Sequence, residues 1–178
     1  QIVGILQDSA AEVMDLFNEF LPRIESVLNQ ARSPKVGKAH GISNTDSYES
    51  RIEATNYALA HDDGVSINFD EAEVILVGVS RSGKTPTCLY LALHFGVLAA
   101  NYPLTDDDLE ASRLPAFLLR NKRKLFGLTI DAERLAQIRE TRRPGSRYAS
   151  LHKCRSEIGA AEDLLRAQGI PVLSTTHS

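Results

Sequence analysis

Only two cysteines, Cys88 and Cys154, occur in 178 residues. That is too few for a disulfide scaffold, and the usage fits a reducing, cytoplasmic compartment. A basic excess is also missing. The chain sets 20 Lys+Arg against 23 Asp+Glu, a net charge of −3, with a pI near 6.0. Dedicated nucleic-acid binders usually carry a strong positive balance, so no nucleic-acid partner is expected. The longest nearly apolar run, Leu89 to Ala100, is broken by His94 and is too short to span a bilayer. Residues Gln1 to Leu6 show neither a basic flank nor a cleavage-type segment. There is no internal repeat, no low-complexity tract, no metal-ligand spacing between the cysteines and no ordered Ser/His/Asp triad. An initiator Met is absent, and the chain stops at Thr175-Thr176-His177-Ser178, just after an apolar run. It reads as a fragment, cut or disordered at both ends.

What is present is ordinary globular composition, 43 % hydrophobic and 24 % charged. A chain of this length can hide roughly 70 % of its unfolded surface, enough for a real core. Val13, Phe17, Phe20, Ile24 and Leu28 recur at helical spacing, with Asp8 or Ser9 as N-cap and Pro22 expected to kink or divide the helix. Gln30 to Lys38 reads as a loop. A second helix is expected over Thr45–Ala60, with Tyr48, Ile52 and Leu59 on one face and Gly64 beyond its end.

The pattern then changes. Val74-Ile75-Leu76-Val77 is a short, β-branched apolar run ending in Gly78, the mark of a buried parallel strand. A helix over Thr85–Phe95 and a strand over Val97–Tyr102 complete a βαβ unit. Asp106–Lys124 reads as an irregular insertion. Leu125–Ile130 is a third strand, Ala132–Arg142 a helix, Arg147–Gln168 a long helix and Ile170–Leu173 a fourth strand. Alternation of this kind predicts an α/β fold, a P-loop kinase-like, mainly parallel sheet flanked by helices. Residues 1–64 read as a helical segment, the remainder of an N-terminal region, and 65–178 as the nucleotide-binding catalytic domain.

One motif is strong. Gly78-Val79-Ser80-Arg81-Ser82-Gly83-Lys84-Thr85 has two glycines four residues apart, then Lys and Thr, between a strand and a helix. The glycines let backbone wrap an anion closely. Amides from about Val79 to Thr85 would point inward at a helix N-terminus, where the dipole favours negative charge. Lys84 would pair with the outer phosphates, and Thr85 would hold magnesium through its hydroxyl. Arg81, inside the loop, can reach a phosphate or a transition-state charge. Pro86 in the first turn of the helix costs no hydrogen bond.

Weaker signals accompany it. His61-Asp62-Asp63-Gly64 places two acids before the motif strand, as general base or magnesium partner, or simply as a polar helix exit. Asp131 follows a strand, where a second metal acid can sit, but reads first as an N-cap. Lys35, Lys38 and His40-Gly41 form a basic loop. Arg139, Arg142, Arg143 and Arg147 make either an anion-binding patch or a solvated helix end. Cys88 and Cys154 read as small core residues.

The loop with Pro86-Thr87 and Leu89-Tyr90-Leu91-Ala92 resembles the phosphoenolpyruvate synthase regulatory proteins, relatives of the plant pyruvate, phosphate dikinase regulatory protein. Further matches are Val36-Gly37-Lys38-Ala39-His40-Gly41, Ala60-His61-Asp62-Asp63-Gly64, Ala99-Ala100-Asn101-Tyr102-Pro103, Phe126-Gly127-Leu128-Thr129-Ile130 and Ser146-Arg147-Tyr148-Ala149-Ser150. They cover most of the chain, and the Asn101-Tyr102-Pro103 and Ser146-Arg147-Tyr148 wording looks like the synthase branch. The resemblance implies a bifunctional enzyme. Its kinase activity phosphorylates a threonine of phosphoenolpyruvate synthase with ADP as donor, inactivating it; its phosphorylase activity uses inorganic phosphate to release pyrophosphate. Lys84 and Arg81 are then expected to neutralise the transferred group, and Asp62 or Asp63 to take the threonine proton. The resemblance leaves a homodimer open. Two other readings compete: an ATP-dependent small-molecule kinase of the phosphate-loop class, and a nucleotide-gated switch with little turnover.

Overall fold

The computed structural model describes residues 16–31, 45–64 and 69–176. The chain divides into two compact units, Gln1–Ile42 and Ser43–Ser178. In the first, the described residues form α1, Leu16–Leu28, which runs undivided through Pro22. Phe20 and Ile24 of its expected apolar stripe are exposed. The N-cap expected at Asp8 or Ser9 lies outside the described residues, as does the Lys35–Gly41 loop.

The second unit carries α2 (Thr45–Ala60), β1 (Val74–Gly78), α3 (Lys84–Phe95), β2 (Ala99–Pro103), α4 (Asp106–Glu110), α5 (Ala116–Arg120), β3 (Leu125–Thr129), α6 (Ala132–Arg142), α7 (Leu151–Ala167) and β4 (Val172–Ser174). The sheet order is β2-β1-β3-β4 and every pairing is parallel. This is the α/β, P-loop kinase-like architecture the alternation implied. Val74 pairs with Ala99 and Ile75 with Leu125, so β1 is central.

Successive strand residues point to opposite faces, and the chain uses both. Ile75, Val77, Ala100 and Leu125 join the core beneath α6 and α7, with Leu135, Leu164 and Leu165. Leu76, Ala99 and Leu128 face the other way, into a smaller core with Ala54, Ala58, Cys88 and Ala92 of α2 and α3. That inverts the expectation for α2. Its buried face is alanine, which lets the helix come close to α3, while Ile52 and Leu59 are exposed. Packing of this kind ties α2 to the sheet.

Asp106–Lys124 is not irregular. Thr105 caps α4, accepting from the Asp108 amide while the Asp108 carboxylate accepts from the Thr105 amide, a capping box. Pro115 opens α5, and a short 3-10 turn covers Lys122–Lys124. The long C-terminal helix begins later than expected. Arg147–Ala149 is a 3-10 turn, and Ser150 caps α7 by accepting from the Lys153 amide.

Candidate active site

The phosphate-loop motif joins β1 to α3. Gly78 is required by close approach: a Cβ there would lie 2.3 Å from the Leu128 carbonyl oxygen on β3. Gly83 precedes the helix at φ 87°, the left-handed region. Arg81 also holds a positive φ, 73°, unusual for a side-chain-bearing residue and the kind of strain that gathers at functional loops. The rest of the protein holds the loop carbonyls. The Ser82 amide donates to Val79 O, Arg139 Nη2 donates to Ser80 O at 3.1 Å, and Thr175 Oγ1 donates to Ser82 O at 3.0 Å. With those carbonyls engaged, an anion entering the loop meets amides at a helix N-terminus.

Lys84 is 4 % exposed, and its ammonium donates to Val79 O at 2.9 Å. Burial pushes its pKa down to about 8, against the opposing pull of the Asp63 and Asp62 charges. Among the described residues no carboxylate stands within ion-pair distance of it. A buried cation in that condition is poorly compensated until an anion arrives.

The two acids expected near the loop are there, and they divide. Thr85 Oγ1 donates to Asp62 Oδ1 at 2.7 Å. Asn101 Nδ2 donates to the same oxygen at 2.6 Å, and Asn101 Oδ1 accepts from the Asp63 amide at 3.1 Å. Asn101 is fully buried on β2, and its own amide donates to His61 O. One asparagine therefore clamps the Asp62-Asp63 corner against the phosphate loop. The Asp63 side chain is exposed, on backbone held at φ 49°. In the sequence, the signal for Asn101 is a polar residue in an otherwise apolar strand.

Thr85 and Asp62 offer hard oxygen donors, the set magnesium takes when phosphates and water complete its sphere. Among the described residues, no group of three His, Cys, Asp or Glu side chains gathers that could hold a metal by protein ligands alone. Asp131 is a cap: its carboxylate accepts from the Glu133 and Arg134 amides at 2.9 and 3.0 Å. Cys88 is core. Its thiol donates to Ala100 O, and burial pushes its pKa up to about 12.

The arginine cluster also separates. Arg142, Arg143 and Arg147 are exposed, but Arg139 is fully buried. Its guanidinium sits 4.0 Å from the centre of the Tyr148 ring, pairs with Glu157 at 2.7 Å and donates to Ser80 O and Tyr148 O. Tyr148 Oη adds a 2.9 Å hydrogen bond to Ser80 Oγ. Arg139 and Tyr148 thus brace the loop from behind.

Among the described residues no helix is long and apolar enough to cross a membrane. The chain is 58 % identical over 174 residues to a protein of Stenotrophomonas maltophilia (strain K279a) named "Putative phosphoenolpyruvate synthase regulatory protein", covering 98 % of this chain and 64 % of the relative. Relatives of the same name from Xylella fastidiosa (strain M12) and Xanthomonas campestris pv. campestris (strain B100) are 55 % and 53 % identical, over 98 % and 100 % of this chain and 64 % and 65 % of their own length. The chain therefore spans a little under two thirds of these relatives. The kinase/pyrophosphorylase family model matches residues 1–178. With its phosphate loop in place and that match over its whole length, the chain belongs to the kinase/pyrophosphorylase family.

Proposed function

We propose that the full-length protein reversibly phosphorylates a threonine of phosphoenolpyruvate synthase, with ADP as donor in one direction and inorganic phosphate as acceptor in the other. The observation that carries this reading is the junction of buried Lys84 with the Thr85–Asp62–Asn101 chain beside the loop. It supplies a cation for the transferred group, an oxygen pair for magnesium and a second acid at the same corner. In the forward direction the threonine hydroxyl oxygen attacks the β-phosphorus of ADP. The new bond is P–O to threonine, the bond to the bridging oxygen breaks, and AMP leaves. Asp63, exposed and not engaged with Thr85, takes the hydroxyl proton. In reverse, an oxygen of inorganic phosphate attacks the phosphothreonine phosphorus. The P–O bond to threonine breaks as the P–O–P bond forms, pyrophosphate is released, and the threonine oxygen recovers its proton from the same acid.

Lys84 stabilises charge on the transferring phosphoryl group in both directions, and Arg81 adds to it from the loop rim. Magnesium bound by Thr85, with Asp62 behind it, would supply further neutralisation of the phosphates. The names of the relatives support the choice of target.

The test incubates full-length protein with β-labelled ADP, or separately γ-labelled ATP, plus the synthase charged with its substrates. Label on a synthase threonine from ADP, abolished by Lys84→Ala, is the expected result. Transfer from ATP alone points to an ordinary kinase, and nucleotide binding without transfer points to a switch.

A further inference from the structure

The end of the sheet remote from the phosphate loop carries a cleft that the reaction does not use. It lies where β3 begins and where the chain turns into β4, and its volume is about 670 Å3. Leu119, Leu125, Phe126 and Pro171 supply its apolar lining. Arg120, Lys122, Arg123 and Lys124 surround that lining, in a chain whose net charge is −3. No carboxylate lines the cleft, and Arg120, Lys122 and Arg123 have no ion-pair partner among the described residues. Lys124 is tied down, its ammonium donating to Asp70 O at 2.8 Å.

We propose that this cleft is a docking site for an acidic segment of the protein acceptor, separate from the place where the phosphoryl group is transferred. The inference rests on the phosphoryl-transfer reading and adds a recognition surface to it. Position argues for a separate site. β1 and β3 are parallel, Ile75 lies opposite Leu125 at the start of β3, and the phosphate loop leaves the other end of β1 at Gly78. The five residues of β1 put roughly 17 Å of strand between that end and the cleft. No loop residue lines it. Charge sets the sign of the partner: an acidic surface meets four cations and no local repulsion. Shape favours a macromolecule over a small anion. Small ligands are held by polar groups that converge in a concave site, whereas Arg120, Lys122 and Arg123 are exposed and spread along one turn. A segment with several acidic side chains and an apolar residue for Leu119 and Phe126 matches that arrangement. The protein acceptor is the macromolecule the reading already requires, and a second contact raises the effective concentration of its threonine at the loop.

Docking of this kind acts on encounter and residence and leaves the chemical step alone. Its loss should therefore appear in KM for the protein acceptor, with kcat and KM for ADP unchanged. It should also fade as salt screens the exposed charges.

The experiment compares the full-length protein with two double variants, Lys122→Glu/Arg123→Glu and Arg142→Glu/Arg143→Glu. All four side chains are exposed, and the two variants change the net charge equally. A melting curve on each checks the fold. Initial rates of label transfer from β-labelled ADP are measured against phosphoenolpyruvate synthase and against ADP, and synthase binding is titrated calorimetrically at low and high KCl. Lys122→Glu/Arg123→Glu should raise the synthase KM and weaken synthase binding by about tenfold at low salt, while kcat and KM for ADP stay within about twofold. High salt should narrow the gap, and Arg142→Glu/Arg143→Glu should behave as the wild type. Unchanged synthase binding, equal losses in both double variants, wild-type binding that ignores salt, or a loss in kcat with binding intact would overturn the docking site and leave phosphoryl transfer standing. Synthase binding that depends on Lys122 and Arg123, without any transfer of label, would keep the docking site and end the transfer reading. A wild type that neither binds nor labels the synthase would end both.

Discussion

Replacing Lys84 with Met should make the free protein more stable while removing phosphoryl transfer. The lysine titrates at about 8 when folded and at 10.5 when unfolded. At about 1.4 kcal/mol per pH unit, the charge costs the folded state about 3 kcal/mol at neutral pH. Methionine fills similar space without the charge, and Val79 O keeps the Ser82 amide as donor. Loss of the Lys84–Val79 hydrogen bond returns about 1–2 kcal/mol. The net gain is about 1–2 kcal/mol, or a Tm rise of about 2–6 °C for a protein of this size. The sign with pH is definite. Below pH 8 both states hold the proton and the penalty is complete. Between about 8 and 10.5 the unfolded state holds more protons, so wild-type stability is relieved as pH rises and the advantage of the variant shrinks. Cys88, pushed up to about 12 from 9.0, acts oppositely above pH 9, and the difference between the two proteins cancels it. Thermal melts of both proteins at pH 7 and pH 10, with and without ADP, measure this. A variant that melts lower at pH 7, or a difference that does not change with pH, would refute the argument.

Gly78→Ala should prevent folding or cost several kcal/mol, because its Cβ would meet the Leu128 carbonyl of a packed strand at 2.3 Å. Gly127→Ala, whose Cβ meets the flexible Leu165 methyl at 2.7 Å, should be milder, and urea midpoints of the two compare them. Arg139→Met should destabilise by about 1–3 kcal/mol by freeing Ser80 O and Tyr148 O and leaving Glu157 with Lys153 alone, and adding Glu157→Gln should recover part of it. No recovery in that double variant would count against the pairing. Asp62→Asn should raise the magnesium concentration for half-maximal transfer by about tenfold or more, read from initial rates against MgCl2. An unchanged magnesium curve would remove Asp62 from behind Thr85.

Much of this was legible in the sequence because the signals were local. The motif between an apolar strand and a helix fixes its own surroundings, and the strand–helix alternation gives the parallel sheet. What escaped depends on distance or on size. The buried side of α2 is Ala54 and Ala58, which carry little hydrophobic signal, while the large Ile52 and Leu59 drew attention to the wrong face. Asp62 and Asp63 are adjacent and alike in the sequence, and only the β2 side chain of Asn101 sets them apart. Arg139 could not be told from its basic neighbours until α6 turned it inward beneath Tyr148.

The Thr175 clamp on the loop has a consequence in time. Its hydroxyl donates to Ser82 O across 93 positions of sequence, with Thr129 O at the end of β3 as a second acceptor. A chain emerging from the ribosome therefore carries the complete loop sequence long before it carries the residue that braces it. Long-range contacts of this kind close late. The braced form of the loop is thus acquired only once β4 has been made, and a nascent chain still lacking β4 holds the motif as an unfinished turn.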